Sequence, residues 1–342
     1  MFGIELDDKI IKLIASGALS FLSASLFSRL FIPLAFRIGA VDRGEGERRM
    51  HREPRARIGG LAVYVACLIG ASLSPGDNIL VPLLIGGGAI VIGGLVDDIR
   101  GVTPIQKLII QAAAAWLALG AGTPMLSPRM LGFLPSVLLE IAELGISLLW
   151  IVTLCNAFNL IDGLDGLCAA SATGSIGALF LLGAGEGNGT LIFFAATLGF
   201  LPHNLRPARL FLGDSGAMLL GFTVALLTLD GAKGGMGIAS LILVVAYPIL
   251  EIVFSTLRRI LSGRDPFTPD RGHLHHRLVD GGLSHGAASG ILSLLHLGAC
   301  ALAATVGAAG WGSAAVISLL LLTFASFFVI IMARDQKRPK GA

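Results

Sequence analysis

Eleven apolar runs divide this sequence, at roughly 13–36, 58–74, 79–96, 105–122, 138–158, 164–183, 190–203, 214–229, 237–257, 288–308 and 311–333. Each is counted as a possible crossing of about 30 Å of hydrocarbon, with allowance for short or tilted helices. Inside a bilayer every backbone N–H and C=O must find its partner within the protein, so such a chain folds as a polytopic all-α bundle. Composition agrees: of 342 residues 54% are hydrophobic, 14% are charged and 46 are glycine. That is the profile of membrane helices that approach closely through small residues. A water-soluble domain does not fit these numbers, and a net charge of +3 is too small to imply nucleic-acid binding. Cys67, Cys155, Cys168 and Cys300 lie scattered in apolar runs without metal-like spacing and read as small buried side chains.

The basic residues set the orientation. With the N-terminus outside, the inner loops collect Arg37, Arg43, Arg48, Arg49, Arg52, Arg55, Arg57, Arg100, Arg206, Arg209 and the arginines from Arg258 to Arg277, whereas the outer segments hold Lys9, Lys12, Arg129 and Lys233. This asymmetry predicts an odd number of spans, N-terminus out and C-terminus cytoplasmic. The run after Lys12 continues to Phe36 and ends in a basic loop without a small-residue cleavage site, so the first helix is expected to be retained. The seventh and eighth runs are short and rich in small residues, and 123–137, with three prolines, reads as a non-helical excursion. The expectation is one membrane-embedded domain over 1–342, with working loops near 37–57, 97–107, 156–165, 203–215 and 258–287.

Polar residues interrupt this apolar chain in four places, and the predicted topology puts all four on the cytoplasmic face. The first is Asp97-Asp98 at the end of the third run, adjacent carboxylates that repel unless a cation or proton separates them; the bland alternative is a solvated turn. Lys107 and Gln111 share a face of the following helix, and Lys107 is placed to reach a phosphate or simply to snorkel. The second is Asn156, Asn159, Asp162 and Asp165 between the fifth and sixth runs, polar groups that mark a site for a charged ligand or a metal. The third is Asp214, flanked by Gly213 and Gly216 at the start of a helix, where free N–H groups suit phosphate oxygens or where Asp214 serves only as a cap. The fourth is Arg271, His273, His275, His276 and Arg277, an anion cradle in preference to a zinc site, since no cysteine is near and the spacing does not repeat on one helix face. A transporter would carry such acids near the bilayer midplane, so an interfacial enzyme is the better account.

These motifs, in this order, resemble the signatures of the polyprenyl-phosphate N-acetylhexosamine-1-phosphate transferases, as does Arg49-x-His51-x-x-Pro54-x-Arg57-x-Gly59-Gly60 in the first inner loop. The histidine wording is closer to the branch that starts O-antigen, common-antigen or teichoic-acid linkage synthesis than to the phospho-MurNAc-pentapeptide branch. One departure is Ala217, where many members have Ser. The resemblance implies a bacterial inner-membrane enzyme that transfers a sugar 1-phosphate, GlcNAc-1-phosphate above all, from a UDP-N-acetylhexosamine to undecaprenyl phosphate, releasing UMP. The alternatives are phospho-MurNAc-pentapeptide transfer and a transporter or lipid flippase. It further implies Mg²⁺, with Mn²⁺ as a substitute, held by Asp214 and Asn159; Asp97 or Asp98 beside the attacking phosphate; and Asp162 and Asp165 around the nucleotide. Lys107, Asn156, Arg271, His273, His275, His276 and Arg277 would contact substrate. Membrane lipid is the surrounding partner, nucleic acid is not one, and a homodimer is left open.

Overall fold

The computed structural model describes residues 8–42, 54–74, 77–126, 135–261, 263 and 272–309. The last expected span, 311–333, and Arg271 lie outside these residues, as do Arg49 and His51 of the first inner loop. The described chain runs α1 (Asp8–Ile38), β1 (Val41–Asp42), β2 (Arg55–Arg57), α2 (Gly59–Ala71), α3 (Leu80–Arg100), α4 (Pro104–Gly120), α5 (Ser136–Ile161) and α6 (Leu167–Leu181). A 3-10 turn at Ala184–Glu186 leads to α7 (Asn188–Asn204), β3 (Leu210–Phe211), α8 (Gly213–Lys233), α9 (Ile238–Leu243), α10 (Ala246–Leu261), α11 (Leu274–Asp280) and α12 (His285–Ala309). Among the described residues five helices, α1, α3, α5, α8 and α12, are long and apolar enough to cross a membrane; α2 and α6 are shorter apolar helices. Ile92, Trp116 and Leu149 face outward, as expected of side chains turned to lipid.

The short eighth run forms the centre of the bundle. Every residue of α8 from Gly213 to Leu229 is buried, and the helix packs against α2, α3, α5 and α6. An apolar helix without a polar face belongs in such a position. Lipid offers little hydrophobic gain for helix association, so close backbone approach supplies the packing. A Cβ at Gly60 of α2 would lie 2.3 Å from the Gly216 nitrogen, and one at Gly94 of α3 would lie 2.3 Å from Ser215 Cα. Glycine alone fits either place, and the two contacts press α2 and α3 onto the first turn of α8.

Two departures from the sequence reading have identifiable causes. The run 237–257 is not one helix but breaks at Val244–Val245 between α9 and α10. Pro248 carries no N–H, so the Val244 carbonyl four residues earlier has no helical donor. Ser175 Oγ of α6 donates to that carbonyl instead, at 2.6 Å. The second departure is a three-stranded sheet in a chain expected to be all-α: β1 pairs antiparallel with β2, and β2 parallel with β3, with Arg57 opposite Phe211. Gly60 N–H continues the pairing by donating to Leu212 O at 3.0 Å. The strands are too short for a period-2 pattern to show in sequence, yet they align the entry to α2 with the entry to α8.

Candidate functional site

The first turn of α8 is organised by a carboxylate from another helix. Asp98, near the end of α3, accepts from Asp214 N–H at 2.8 Å, from Ser215 N–H at 3.1 Å and from Ser215 Oγ at 2.7 Å. The initial N–H groups of a helix have no intrahelical acceptor, and negative charge beside them is favourable. Asp98 therefore performs the capping that Asp214 was positioned to perform. The Asp98 side chain is fully buried, whereas that of Asp214 retains some exposure.

Two basic side chains close over these acids. Arg57 places Nε 3.2 Å from Asp98 Oδ1 and donates through Nη2 to Asp214 Oδ2. Lys107 donates to Asp214 Oδ1 at 2.8 Å and lies 2.6 Å from Asp97 Oδ2. Local structure holds both in place. Lys107 follows a capping box in which Thr103 Oγ1 accepts from Gln106 N–H and Gln106 Oε1 accepts from Thr103 N–H, with Pro104 opening α4. Asp97 Oδ1 accepts from Val102 N–H at 2.9 Å, closing the turn that leads there. Burial opposes the Arg57 charge, but Asp214, Asp98 and Asp162 outweigh it and raise the guanidinium above its ordinary value. With Asp97, Asp98 and Asp214 ionised, three carboxylates face two basic groups.

The α5–α6 loop divides between this cluster and the scaffold. The Asn159 side chain faces Asp214. The Asp162 carboxyl is pushed well above the usual carboxylate range by burial, pulled back by Arg57, and raised further by Asp214, Asp98 and Asp165. Asn156 instead donates to Gln111 Oε1 at 2.7 Å and to Val152 O at 2.8 Å, bridging α5 to α4. Asp165 Oδ2 accepts from Ala208 N–H at 3.1 Å, and its main-chain oxygen accepts from Ser289 Oγ at 2.9 Å. The polar residues of this motif thus serve two ends, Asn159 and Asp162 at the acid cluster and Asn156 and Asp165 at contacts between elements.

The histidine motif packs onto the same loop. His273 Nδ1 lies 3.0 Å from Glu251 Oε1, which also accepts from Leu274 N–H at 3.0 Å, tying α11 to α10. His273 and His275 stack with centroids 5.6 Å apart, and His276 lies 4.3 Å from His275. A Cβ at Gly163 would meet His275 Nε2 at 2.2 Å, so the glycine after Asp162 is the seat of that imidazole. Neither ring nitrogen of His275 has a hydrogen-bond partner among the described residues. Burial, then the charges of His276 and His273, hold the ring well below its ordinary value and hence neutral. Arg258 Nη1 and Arg277 Nε both donate to Gly272 O, the latter at 3.1 Å.

The site therefore gathers Arg57, Asp97, Asp98, Lys107, Asn159, Asp162 and Asp214, with His275 alongside Gly163. Sequence reasoning placed Arg57 in a loop motif without a role and passed over Ser215; the Arg-x-Gly-Gly wording was the available signal, since Gly59 packs on Phe200 and Phe211 and Gly60 presses α2 onto α8. Among the described residues no three His, Cys, Asp or Glu side chains are disposed to hold a metal ion. The oxygens of Asp214 and Asn159 nevertheless suit a hard dication that takes its other ligands from substrate. Arg57 and Lys107 each engage one oxygen of Asp214, so a dication there competes with them for the carboxylate.

A family model described as glycosyl transferase family 4 matches residues 80–232, a stretch from α3 to α8 that contains Asp97, Asp98, Asp162 and Asp214. A probable undecaprenyl-phosphate N-acetylglucosaminyl 1-phosphate transferase of Bacillus subtilis (strain 168) is 32% identical over 296 residues, covering 82% of this chain and 81% of that protein. A decaprenyl-phosphate N-acetylglucosaminephosphotransferase of Mycolicibacterium smegmatis is 33% identical over 291 residues, 74% of this chain and 71% of the other. An undecaprenyl-phosphate alpha-N-acetylglucosaminyl 1-phosphate transferase of Escherichia coli (strain K12) is 28% identical over 309 residues, with 84% and 82% covered.

Proposed function

Because this chain belongs to glycosyl transferase family 4, we propose that it transfers N-acetylglucosamine 1-phosphate from UDP-N-acetylglucosamine to undecaprenyl phosphate. The relatives above are all named for carrying N-acetylglucosamine phosphate to a polyprenyl phosphate, which weighs against phospho-MurNAc-pentapeptide transfer and against a transporter. The observation that carries the reading is the convergence of Asp97, Asp98, Lys107, Arg57 and Asp214 at the start of α8. The lipid-linked product would begin a cell-envelope polysaccharide.

In this reading an oxygen of the lipid phosphate forms a new bond to the β-phosphorus, the bond to the bridging oxygen breaks, and UMP departs with the electron pair. One phosphoanhydride replaces another, so the enzyme's task is to bring two anions together in line. A phosphate monoester has a second pKa of about 6, so the acceptor is largely dianionic at neutral pH and needs no strong base. Lys107 and Arg57 supply positive charge where negative charges meet. Asp98 acts by holding the α8 terminus and aiming Arg57, and Asp97 by holding Lys107. Mg²⁺, or Mn²⁺ in its place, would be held by Asp214 and Asn159 and, when bound, would screen the diphosphate and polarise the phosphoryl group. Asp162 lies toward the nucleotide, and His273, His275, His276, Arg271 and Arg277 form the cradle for the diphosphate and sugar.

The same reading takes eleven spans with the N-terminus outside, which sets the cluster on the cytoplasmic face of a bacterial inner membrane, where nucleotide sugars are available. Purified protein mixed with radiolabelled UDP-GlcNAc and undecaprenyl phosphate in detergent should release UMP and label the lipid, and full activity should depend on Mg²⁺. No lipid labelling with this pair, or unchanged turnover in excess EDTA, would remove the corresponding part of the proposal.

A further inference from the structure

Arg57 differs from every other charged group in the cluster by standing on a strand. Its backbone is set by the parallel pairing of β2 with β3, which places it opposite Phe211, three residues before Asp214. The guanidinium bridges two carboxylates of unequal character. Asp98 is fully buried and held by three donors of α8; Asp214 is partly exposed and is also claimed by Lys107. The Arg57 side chain is itself 36% exposed, so a ligand can reach its outer edge. Arg57 thus has one anchored partner and one contested partner.

From this geometry we infer that Arg57 is an exchangeable counter-ion. It occupies Asp214 in the substrate-free enzyme, then swings on its Asp98 contact to yield that carboxylate to the divalent cation and to present its free N–H groups to the nucleotide diphosphate. This inference rests on the transferase reading above. Its physical basis is competition. A dication attracts a carboxylate more strongly than a guanidinium does, while the planar fork of arginine matches two phosphate oxygens better than a lysine does. Because Arg57 must leave Asp214 for the cation to bind there, an anion that engages Arg57 raises cation affinity, and the cation raises anion affinity by the same factor. Neither ligand then binds well alone, so metal and nucleotide load together.

The test measures Mn²⁺ binding to the full-length protein in detergent by electron paramagnetic resonance, without nucleotide, beside the Michaelis constant for UDP-GlcNAc. Arg57→Gln should bind Mn²⁺ roughly two- to fivefold more tightly than wild type, the size of one lost competing ion pair, while its Michaelis constant rises. A merely damaged site would weaken both. Arg57→Lys keeps the charge on the strand but loses the fork, so Mn²⁺ affinity should return toward wild type while the Michaelis constant stays high. Mn²⁺ affinity in Arg57→Gln equal to or weaker than wild type overturns the inference, as does a Michaelis constant unchanged in both variants. Either result can occur in an enzyme that still transfers GlcNAc-1-phosphate, so this failure is distinguishable from failure of the transferase reading.

Discussion

The two ends of α8 carry similar residues and use them differently. At its C-terminal end Asp230 Oδ2 accepts from Gly185 N–H at 2.7 Å, and nearby Asp77 accepts from Ile79 N–H at 3.0 Å and Gly189 N–H at 2.7 Å. Asp77, Ile79, Gly185 and Asp230 line a cavity of about 360 Å³ with Lys233. There the acids bind backbone amides and tie turns together. At the N-terminal end Asp98 receives the α8 amides and Asp97 that of Val102, but Asp97, Asp98 and Asp214 each also face arginine or lysine. A pocket with carboxylates is therefore not a sufficient sign of chemistry. What distinguishes the N-terminal end is charge held close to charge, the arrangement that binding a polyanion and a cation requires.

The comparison breaks if equivalent changes at the two ends have equivalent effects. The largest contrast is expected between Asp214→Asn and Asp230→Asn. The first should lose turnover by about 10²-fold or more while the protein still inserts and purifies; the second should lower thermal stability and leave turnover near wild type. Asp98→Asn comes next. It removes charge from a buried acceptor of three α8 donors, so it should lower the unfolding temperature by the equivalent of about 1–3 kcal/mol and also reduce turnover. Asp97→Asn should reduce turnover with little change in unfolding temperature or in UDP-sugar affinity, measured by calorimetry.

The pH response of His275 sharpens the picture further out from the cluster. Its folded-state value is depressed, so the unfolded chain binds the extra proton first as pH falls. The corresponding stability is present above about 6.5, the ordinary histidine value, and is lost progressively as pH drops below it. Unfolding temperature should therefore fall between pH 7.5 and pH 5.5 in wild type, and by less in His275→Gln. The smallest effect is expected from Thr103→Ala, which removes the cap of α4 at a cost of about 1 kcal/mol in unfolding free energy and lowers turnover only slightly by loosening Lys107.

Much of this could be read before any coordinates. The apolar runs correspond to helices through α8 because a segment crossing lipid has few options for its backbone. Asp97, Asp98, Asn159, Asp162 and Asp214 stood out because polar groups in such a chain are costly without a purpose. The α9–α10 break was less visible: Pro248 was in view, but the hydroxyl of Ser175 that accommodates the break lies 69 positions away from Val244. Asn156 and Asp165 looked like their neighbours in the motif, and their engagement with Gln111 and Ala208 depends on how α4 and the segment before β3 come to lie beside them.

By itself, the sequence determined that this chain is a helical membrane protein with four polar islands, because hydropathy and local spacing act within a few residues. The tertiary structure decided which members of those islands meet. Arg57 reaches Asp214 across 157 positions, and Asp98 reaches Ser215 across 117, through a strand register and glycine contacts that leave little trace in local pattern. Charge interactions of this kind depend on separation in space, and only the packing of α2 and α3 against α8 sets that separation.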